Sequence, residues 1–217
     1  QNGLALNERS GNKEGLAVAL HNIGVVHQAQ RNYAQALENY QKARALNEEL
    51  GNGERLIGNL NNMGTIHQAQ GDRARALEYF QQAAELSEEL GMKSALAENL
   101  VNIGSIHTEQ GDLARALEYL RRSEAIQEEI GDKRGLAMSL NSIGLVHMKQ
   151  GDLPLAVNDC QKSRALAEEI GSLDRQKEAC ACLVSQCPLR SPSPPCSMAA
   201  WMQPGLAGHD PGPRPPG

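Results

Sequence analysis

His27, His67, His107 and His147 stand forty residues apart, and imidazole is the side chain best suited to proton transfer near neutral pH or to holding a metal. Gly24, Gly64, Gly104 and Gly144 share that interval, as do Ala36, Ala76, Ala116 and Ala156, so the histidines belong to a repeat. Equivalent residues of stacked helical units lie roughly 10 Å apart. Nitrogens that share one zinc, each about 2.0 to 2.1 Å from the ion, must lie within about 4 Å of each other. The four imidazoles therefore cannot share an ion, and their place in the repeat predicts neutral, packed core groups. Protonating several of them together would destabilise the array.

The cysteines carry no clearer chemistry. Cys160, Cys180, Cys182, Cys187 and Cys196 are odd in number and confined to the last third, which is no disulfide framework. The spacing of Cys180, Cys182 and Cys187 is not that of zinc ligands, and residues two apart on a helix point in different directions. No nucleophile–base pair, phosphate loop or ligand cluster is present, so the chain is predicted to be no enzyme, with no cofactor and no metal. The thiols suggest a reduced, cytoplasmic setting. One further series has chemistry to offer: Asn22, Asn62 and Asn102, with Ser142 in the fourth unit. An amide provides both a donor and an acceptor, which is what a peptide main chain requires.

The elements that position these residues follow from the repeat. In the first unit Leu16, Leu20, Ile23 and His27 step by four, three and four, which places them on one helical face. A second helix, with Asn32 as its expected cap, carries Ala36, Leu37, Tyr40, Ala43 and Leu46 on its inner side. Gly71-Asp72, Gly111-Asp112 and Gly151-Asp152 separate the first helix of a unit (A) from the second (B), glycine as the left-handed stop and aspartate as the next N-cap. Gly51-Asn52 and Gly131-Asp132 divide successive units in the same way, whereas Gly91-Met92 leaves Lys93-Ser94 to start its helix less cleanly. The expected fold is all-α, an α-solenoid of helical hairpins coiled as a right-handed superhelix. Its units are 13–52, 53–92, 93–132 and 133–172.

At the ends the pattern changes. Residues 1–12 read as the remnant of a preceding repeat helix, because Ala5-Leu6-Asn7-Glu8 matches Ala45-Leu46-Asn47-Glu48, and the chain reads as a fragment. Residues 173–187 are expected to form a terminal capping helix, in which Val184 replaces the repeat glycine and Cys187 the histidine. Residues 188–217 are rich in Pro, Gly and Ser and are expected to be disordered. Their P-x-x-P matches, Pro192 to Pro195 and Pro213 to Pro216, arise freely in such composition.

The charge balance excludes some partners. A formal charge of −5 over 217 residues, with Lys and Arg scattered among Glu, gives no basic stripe for phosphates, so nucleic acid is not an expected partner. No apolar run is long enough to span a bilayer, and no membrane association is expected. Glu48-Glu49, Glu88-Glu89, Glu128-Glu129 and Glu168-Glu169 end the B helices, where carboxylates oppose the helix dipole. Lys13, Arg55, Lys93, Lys133 and Arg134, at the starts of neighbouring A helices, are expected to neutralise this ridge across the turns.

With L..IG..H on helix A, a Gly-Asp turn and A...Y..A on helix B, the unit resembles the tetratricopeptide repeat over residues 13–187. At forty residues it is similar to the long-repeat branch that includes Pins/LGN scaffold proteins, kinesin light chains and bacterial regulatory proteins. It reads Ile23-Gly24-Val25 and Met63-Gly64-Thr65 where the Pins proteins have Leu-Gly-Asn. In such arrays the side of helix A that bears Asn22, Asn62, Asn102 and Ser142 lines a concave groove. Asparagines at this place in peptide-binding members hold the main chain of an extended ligand. The resemblance thus implies a non-catalytic interaction scaffold for an extended or helical peptide, with Asn22, Asn62, Asn102 and Asn141 on the ligand backbone. An alternative is a regulatory or sensor module of a longer signalling protein such as a kinase, cyclase or transcription regulator.

Around the ladder the groove is expected to show three rows. The first is His21, Asn61, Val101 and Asn141, the second Val25, Thr65, Ser105 and Leu145, the third Gln28, Gln68, Thr108 and Met148. They vary between units while the packing positions hardly change, and their near lack of charge fits a neutral polar peptide with a few apolar anchors. The bland reading stays open: the ladder asparagines could serve only to align the stack through hydrogen bonds between repeats. Gly24 and its equivalents are expected to bring helix B close at Ala36 and its equivalents, offsetting the cost of about 1 kcal/mol for glycine inside a helix.

Overall fold

A computed structural model describes residues 12–171. The expected remnant at 1–12, apart from its last residue, the capping helix at 173–187 and the tail at 188–217 lie outside the described residues. Within them are eight α-helices and no strand: α1 (Lys13–Ala29), α2 (Tyr33–Glu49), α3 (Gly53–Ala69), α4 (Arg73–Glu89), α5 (Lys93–Gln110), α6 (Leu113–Ile130), α7 (Lys133–Gln150) and α8 (Leu153–Glu169). Odd-numbered helices are the A helices and even-numbered ones the B helices. Each A helix packs on its own B helix, and each B helix on the next A helix, giving an all-α helical-repeat solenoid.

The helix limits follow local chemistry. Asn12, Asn52, Asp72, Asp112, Asp132 and Asp152 each accept a hydrogen bond from the backbone N–H three residues on. Pro154 sits in the first turn of α8, where its missing N–H is harmless. One expectation needs correction. Asn32 precedes α2 but makes no cap bond; its Nδ2 instead donates to Gln30 Oε1 at 3.3 Å. Met92, as expected, provides no side-chain cap, and α5 starts at Lys93 without one; Gly91 keeps φ +67° and Met92 packs beside Ile57, Leu60 and Ala83. Among the described non-glycine residues only Arg31 has positive φ, at 60°, where the later repeats place Gly71, Gly111 and Gly151.

The core is continuous from unit to unit. Ala36 and Tyr40 of α2 meet Met63 and Ile66 of α3, and Ala116 and Leu120 of α6 meet Ile143 and Val146 of α7. The repeat glycines make this possible by letting helix B come close. A Cβ on Gly24 would lie 2.7 Å from the Tyr40 ring, one on Gly64 2.8 Å from Phe80, and one on Gly104 2.7 Å from Leu120. The glycine therefore seats the large residue one turn beyond the alanine, and in the third and fourth units the alanine backbone also comes close, the Ala116 and Ala156 carbonyl oxygens lying 3.3 Å from a Cβ on Gly104 and Gly144.

The first unit is less enclosed. Ile66, Ile106 and Val146 are fully buried, whereas Val26 in the same register is 55 % exposed, since no described B helix precedes α1. The same cause leaves Leu16, Ile23 and His27 only half-buried, so His27 is not the packed core group expected of it. His67, His107 and His147 are buried.

Candidate functional site

Consecutive A helices approach one another, α1 with α3, α3 with α5 and α5 with α7, while the backbones of successive B helices stay farther apart, α4 and α6 being joined by the side-chain pair Glu88–Arg122. The stack is thus tighter on its A side, where the stripes of successive A helices turned away from the core lie side by side as a wall. On a helix, residues at i, i+4, i+7 and i+11 fall on one face. That stripe is Val18, Asn22, Val25 and Ala29 on α1, then Gly58, Asn62, Thr65 and Ala69 on α3. On α5 it is Glu98, Asn102, Ser105 and Glu109, and on α7 Met138, Ser142, Leu145 and Lys149. None of these residues is buried.

The ladder itself lies in the middle of the wall. Asn22 is exposed and Asn62 and Asn102 are half-exposed, and none of the three side chains hydrogen-bonds to any described residue. Asn22 also lines a depression with Val18, Ala19, Glu14 and Arg55, whose guanidinium reaches Glu14 at 3.1 Å. Ser142 differs: its Oγ donates to the Met138 carbonyl at 3.1 Å, a bond back to its own helix. Thr65 does the same to Asn61 at 2.9 Å.

The bonds that align one repeat with the next run through other residues. His21 Nδ1 lies 2.7 Å from Asn59 Oδ1, Gln68 Nε2 donates to Glu109 at 2.9 Å, and Lys149 Nζ donates to the Thr108 carbonyl at 3.0 Å. Glu109 is further held by Arg73 at 2.9 Å. His21 therefore sits at a seam between repeats, whereas Gln28 accepts from the Tyr40 hydroxyl at 2.7 Å within its own hairpin. Asn61 and Asn141 are half-buried beside the stripe, and the Asn61 Oδ1 is enclosed without a partner among the described residues. Val25, Thr65 and Leu145 are exposed, and Ser105 is half-exposed.

Two members of the flanking rows are corrected. Val101, 7 % exposed, joins the core with Leu120 and Ile143, and Thr108, 4 % exposed, bonds back to Gly104, so neither can touch a ligand on the wall. Conversely, Glu98, Met138, Glu109 and Lys149 face outward although they lie outside the three expected rows. Counting four residues before the ladder and seven after it along the helical face would have found them.

The buried histidines have structural partners. His67 stacks on Tyr79 and His107 on Tyr119, with ring centroids 5.4 and 5.5 Å apart. Burial holds both imidazoles below their ordinary pKa; the nearby Asp72 and Asp112 act in the opposite sense, and Arg75 and Arg115 add to the shift. In the fourth unit Asp159 replaces the tyrosine, and its Oδ2 lies 2.7 Å from His147 Nδ1 with both groups buried. Among the described residues no group of three or more His, Cys, Asp or Glu is placed to hold a metal ion, and no helix is long and apolar enough to cross a membrane.

The glutamate ridge is neutralised differently from expectation. Lys13 pairs with Glu49, Lys93 with Glu129 and Lys133 with Glu169, each within its own hairpin and not across the turn to the next unit. Antiparallel helices bring the start of A beside the end of B, which accounts for the choice. Arg122 reaches from α6 to Glu88 of α4 at 2.6 Å.

Comparison with known proteins agrees with this geometry. No curated protein sequence matches the chain. Among solved structures, aspartyl phosphate phosphatase F from Bacillus subtilis is similar at 20 % identity, with a TM-score of 0.71 over 75 % of this chain and 43 % of that one. BtubC (BKLC) from P. vanneervenii is similar at 21 % identity, with a TM-score of 0.61 over 92 % of this chain and 73 % of that one. The TPR-like repeats of a Podosopora anserina protein described as a putative kinesin light chain give 15 % and 0.60 over 76 % of this chain and 83 % of that one. At such identities the likeness is one of fold, and the chain spans less than half the length of the phosphatase. Sequence models of the tetratricopeptide repeat match residues 15–89, 55–129 and 136–170. With most of its length matched in this way, and with the hairpin packing described above, the chain belongs to the tetratricopeptide-repeat family.

Proposed function

We propose that this chain is a non-catalytic interaction scaffold whose A-helix wall holds a segment of another protein in extended form. Asn22, Asn62 and Asn102 offer their amides to the main chain of that segment. Thr65, Ser105 and the exposed Val25 and Leu145 contact its side chains, while His21, Gln28, Asn61, Gln68, Asn141 and Ser142 border the path. One observation carries this reading: the ladder amides lie on the helices that approach their counterparts in adjacent repeats yet bond to nothing described, while the alignment of repeats is supplied by His21–Asn59, Gln68–Glu109 and Lys149–Thr108. An amide left with free donor and acceptor on a concave, mostly neutral surface suits a peptide backbone.

The test is a random dodecapeptide library panned on the array and on the Asn62→Ala/Asn102→Ala variant, with affinities of the selected peptides measured by fluorescence anisotropy. Loss of two backbone contacts should cost about 2 kcal/mol, roughly thirtyfold in Kd. Equal affinity for both proteins would remove the ladder from the mechanism.

A further inference from the structure

The wall is not uniform, and its two halves differ in a way that bears on what it selects. On α1 and α3 the position four residues before the ladder is Val18 or Gly58, and the stripe carries no charge. On α5 the same position is Glu98, an exposed carboxylate with no hydrogen bond or ion pair to any described residue. Glu109, at the other end of that stripe, is already held by Arg73 and Gln68. Beside Glu98, on α7, the amide ladder stops. Ser142 has turned its hydroxyl back to the Met138 carbonyl, and Met138 and Leu145, two turns apart on one face, are 41 % and 40 % exposed. Two large apolar side chains flanking a self-satisfied serine make an apolar seat. Next to it stands an uncompensated negative charge.

Resting on the peptide-groove reading, we propose that the third and fourth repeats set its specificity: the guest segment carries a basic side chain that pairs with Glu98 and, close by, an aliphatic side chain that lies on Met138 and Leu145. The backbone is held by the amides of Asn62 and Asn102, and these two side-chain contacts fix which sequence is accepted. Adjacent A helices are about 10 Å apart, which an extended chain at about 3.3 Å per residue covers in roughly three residues, so the two side chains are spaced by two to four positions. Charge complementarity favours a basic residue over an acidic one, and the Coulomb part is screened by salt while the apolar part is not.

Three fluorescent dodecapeptide pools test this against the whole array: one with lysine fixed two to four positions from leucine, one with that lysine changed to glutamate, and one with the leucine changed to serine. The first pool should bind roughly tenfold more tightly than either other pool, with the lysine preference lost at about 1 M salt. Glu98→Lys should transfer the preference to the glutamate pool, and Met138→Ser/Leu145→Ser should abolish the leucine preference while leaving the charge preference in place. All these substitutions are on the solvent face, and unchanged helical circular dichroism shows that each variant folds. Binding of all three pools with equal affinity, lost in Asn62→Ala/Asn102→Ala, would overturn this specificity but leave the groove standing. No binding by any pool would overturn both.

Discussion

A methyl group at Gly104 would lie 2.7 Å from Leu120 Cγ and 3.3 Å from the Ala116 carbonyl oxygen. The backbone oxygen cannot swing away as a side chain can, so helix α6 must retreat from α5. Gly104→Val should therefore destabilise the array by about 3 kcal/mol or more, combining overpacking with the loss of seated core contacts. Gly144→Ala meets the Ala156 carbonyl oxygen at the same 3.3 Å but should cost less, because it adds only a methyl group and its nearest side-chain neighbour, Cys160 Sγ, is 3.1 Å away. Urea unfolding of the two variants checks the order, and an unchanged midpoint for Gly104→Val would refute this packing.

Acid should weaken the fold through His67 and His107. Both have pKa values lowered from 6.5, chiefly by burial, so the unfolded chain binds these protons more readily than the folded one. Their contribution is fully present above pH 6.5 and is lost as the pH falls through and below that value. The urea midpoint should drop between pH 7.5 and 5.5, and the drop should shrink in His67→Phe/His107→Phe, which keeps an aromatic ring against Tyr79 and Tyr119. An equal drop in the variant would assign the effect to other groups.

Arg31 occupies the left-handed region, with φ 60°, at the turn where later units use glycine. A side chain in this region costs about 1 kcal/mol relative to glycine. Arg31→Gly should raise the thermal midpoint by a few degrees, whereas Gly71→Ala, at φ +81°, should lower it. Calorimetry on both variants checks the pair of signs.

Buried Asp159 is the sole described hydrogen-bond partner of the His147 Nδ1. Asp159→Ala leaves that nitrogen enclosed without a partner and should cost about 1–3 kcal/mol in urea unfolding, while Asp159→Asn, which keeps a bond, should cost less. Equal losses would show that the pairing contributes nothing beyond shape.

The hairpins were legible because the forty-residue spacing of Gly24, His27 and Ala36 carries helical periodicity and turn chemistry together, and both depend on local physics. Tyr40, Phe80, Leu120 and Cys160 share that spacing too, but their place over the glycines is a matter of crossing geometry, which spacing alone does not separate from that of the alanines. The ion pairs escaped the sequence for the same kind of reason: Lys13 is 36 residues from Glu49 along the chain, and only the antiparallel return of α2 makes them neighbours. In the wall, the unburied position of Asn22, Asn62 and Asn102 could be read from their place one residue before Ile23, Met63 and Ile103. Burial of Val101 and Thr108 could not, since the closeness of α5 to α7 decides it.

The most direct test of the account watches the side-chain amide signals of Asn62 and Asn102 by 15N NMR while a library-selected peptide is titrated in. The wall reading predicts that both NH2 pairs shift together and saturate with the peptide, along with the backbone signals of Ser105 and Leu145, while those of Glu38 and Lys42 on the outer face of α2 stay still. Saturating binding that moves signals on the B helices and leaves the Asn62 and Asn102 amides where they were would contradict it.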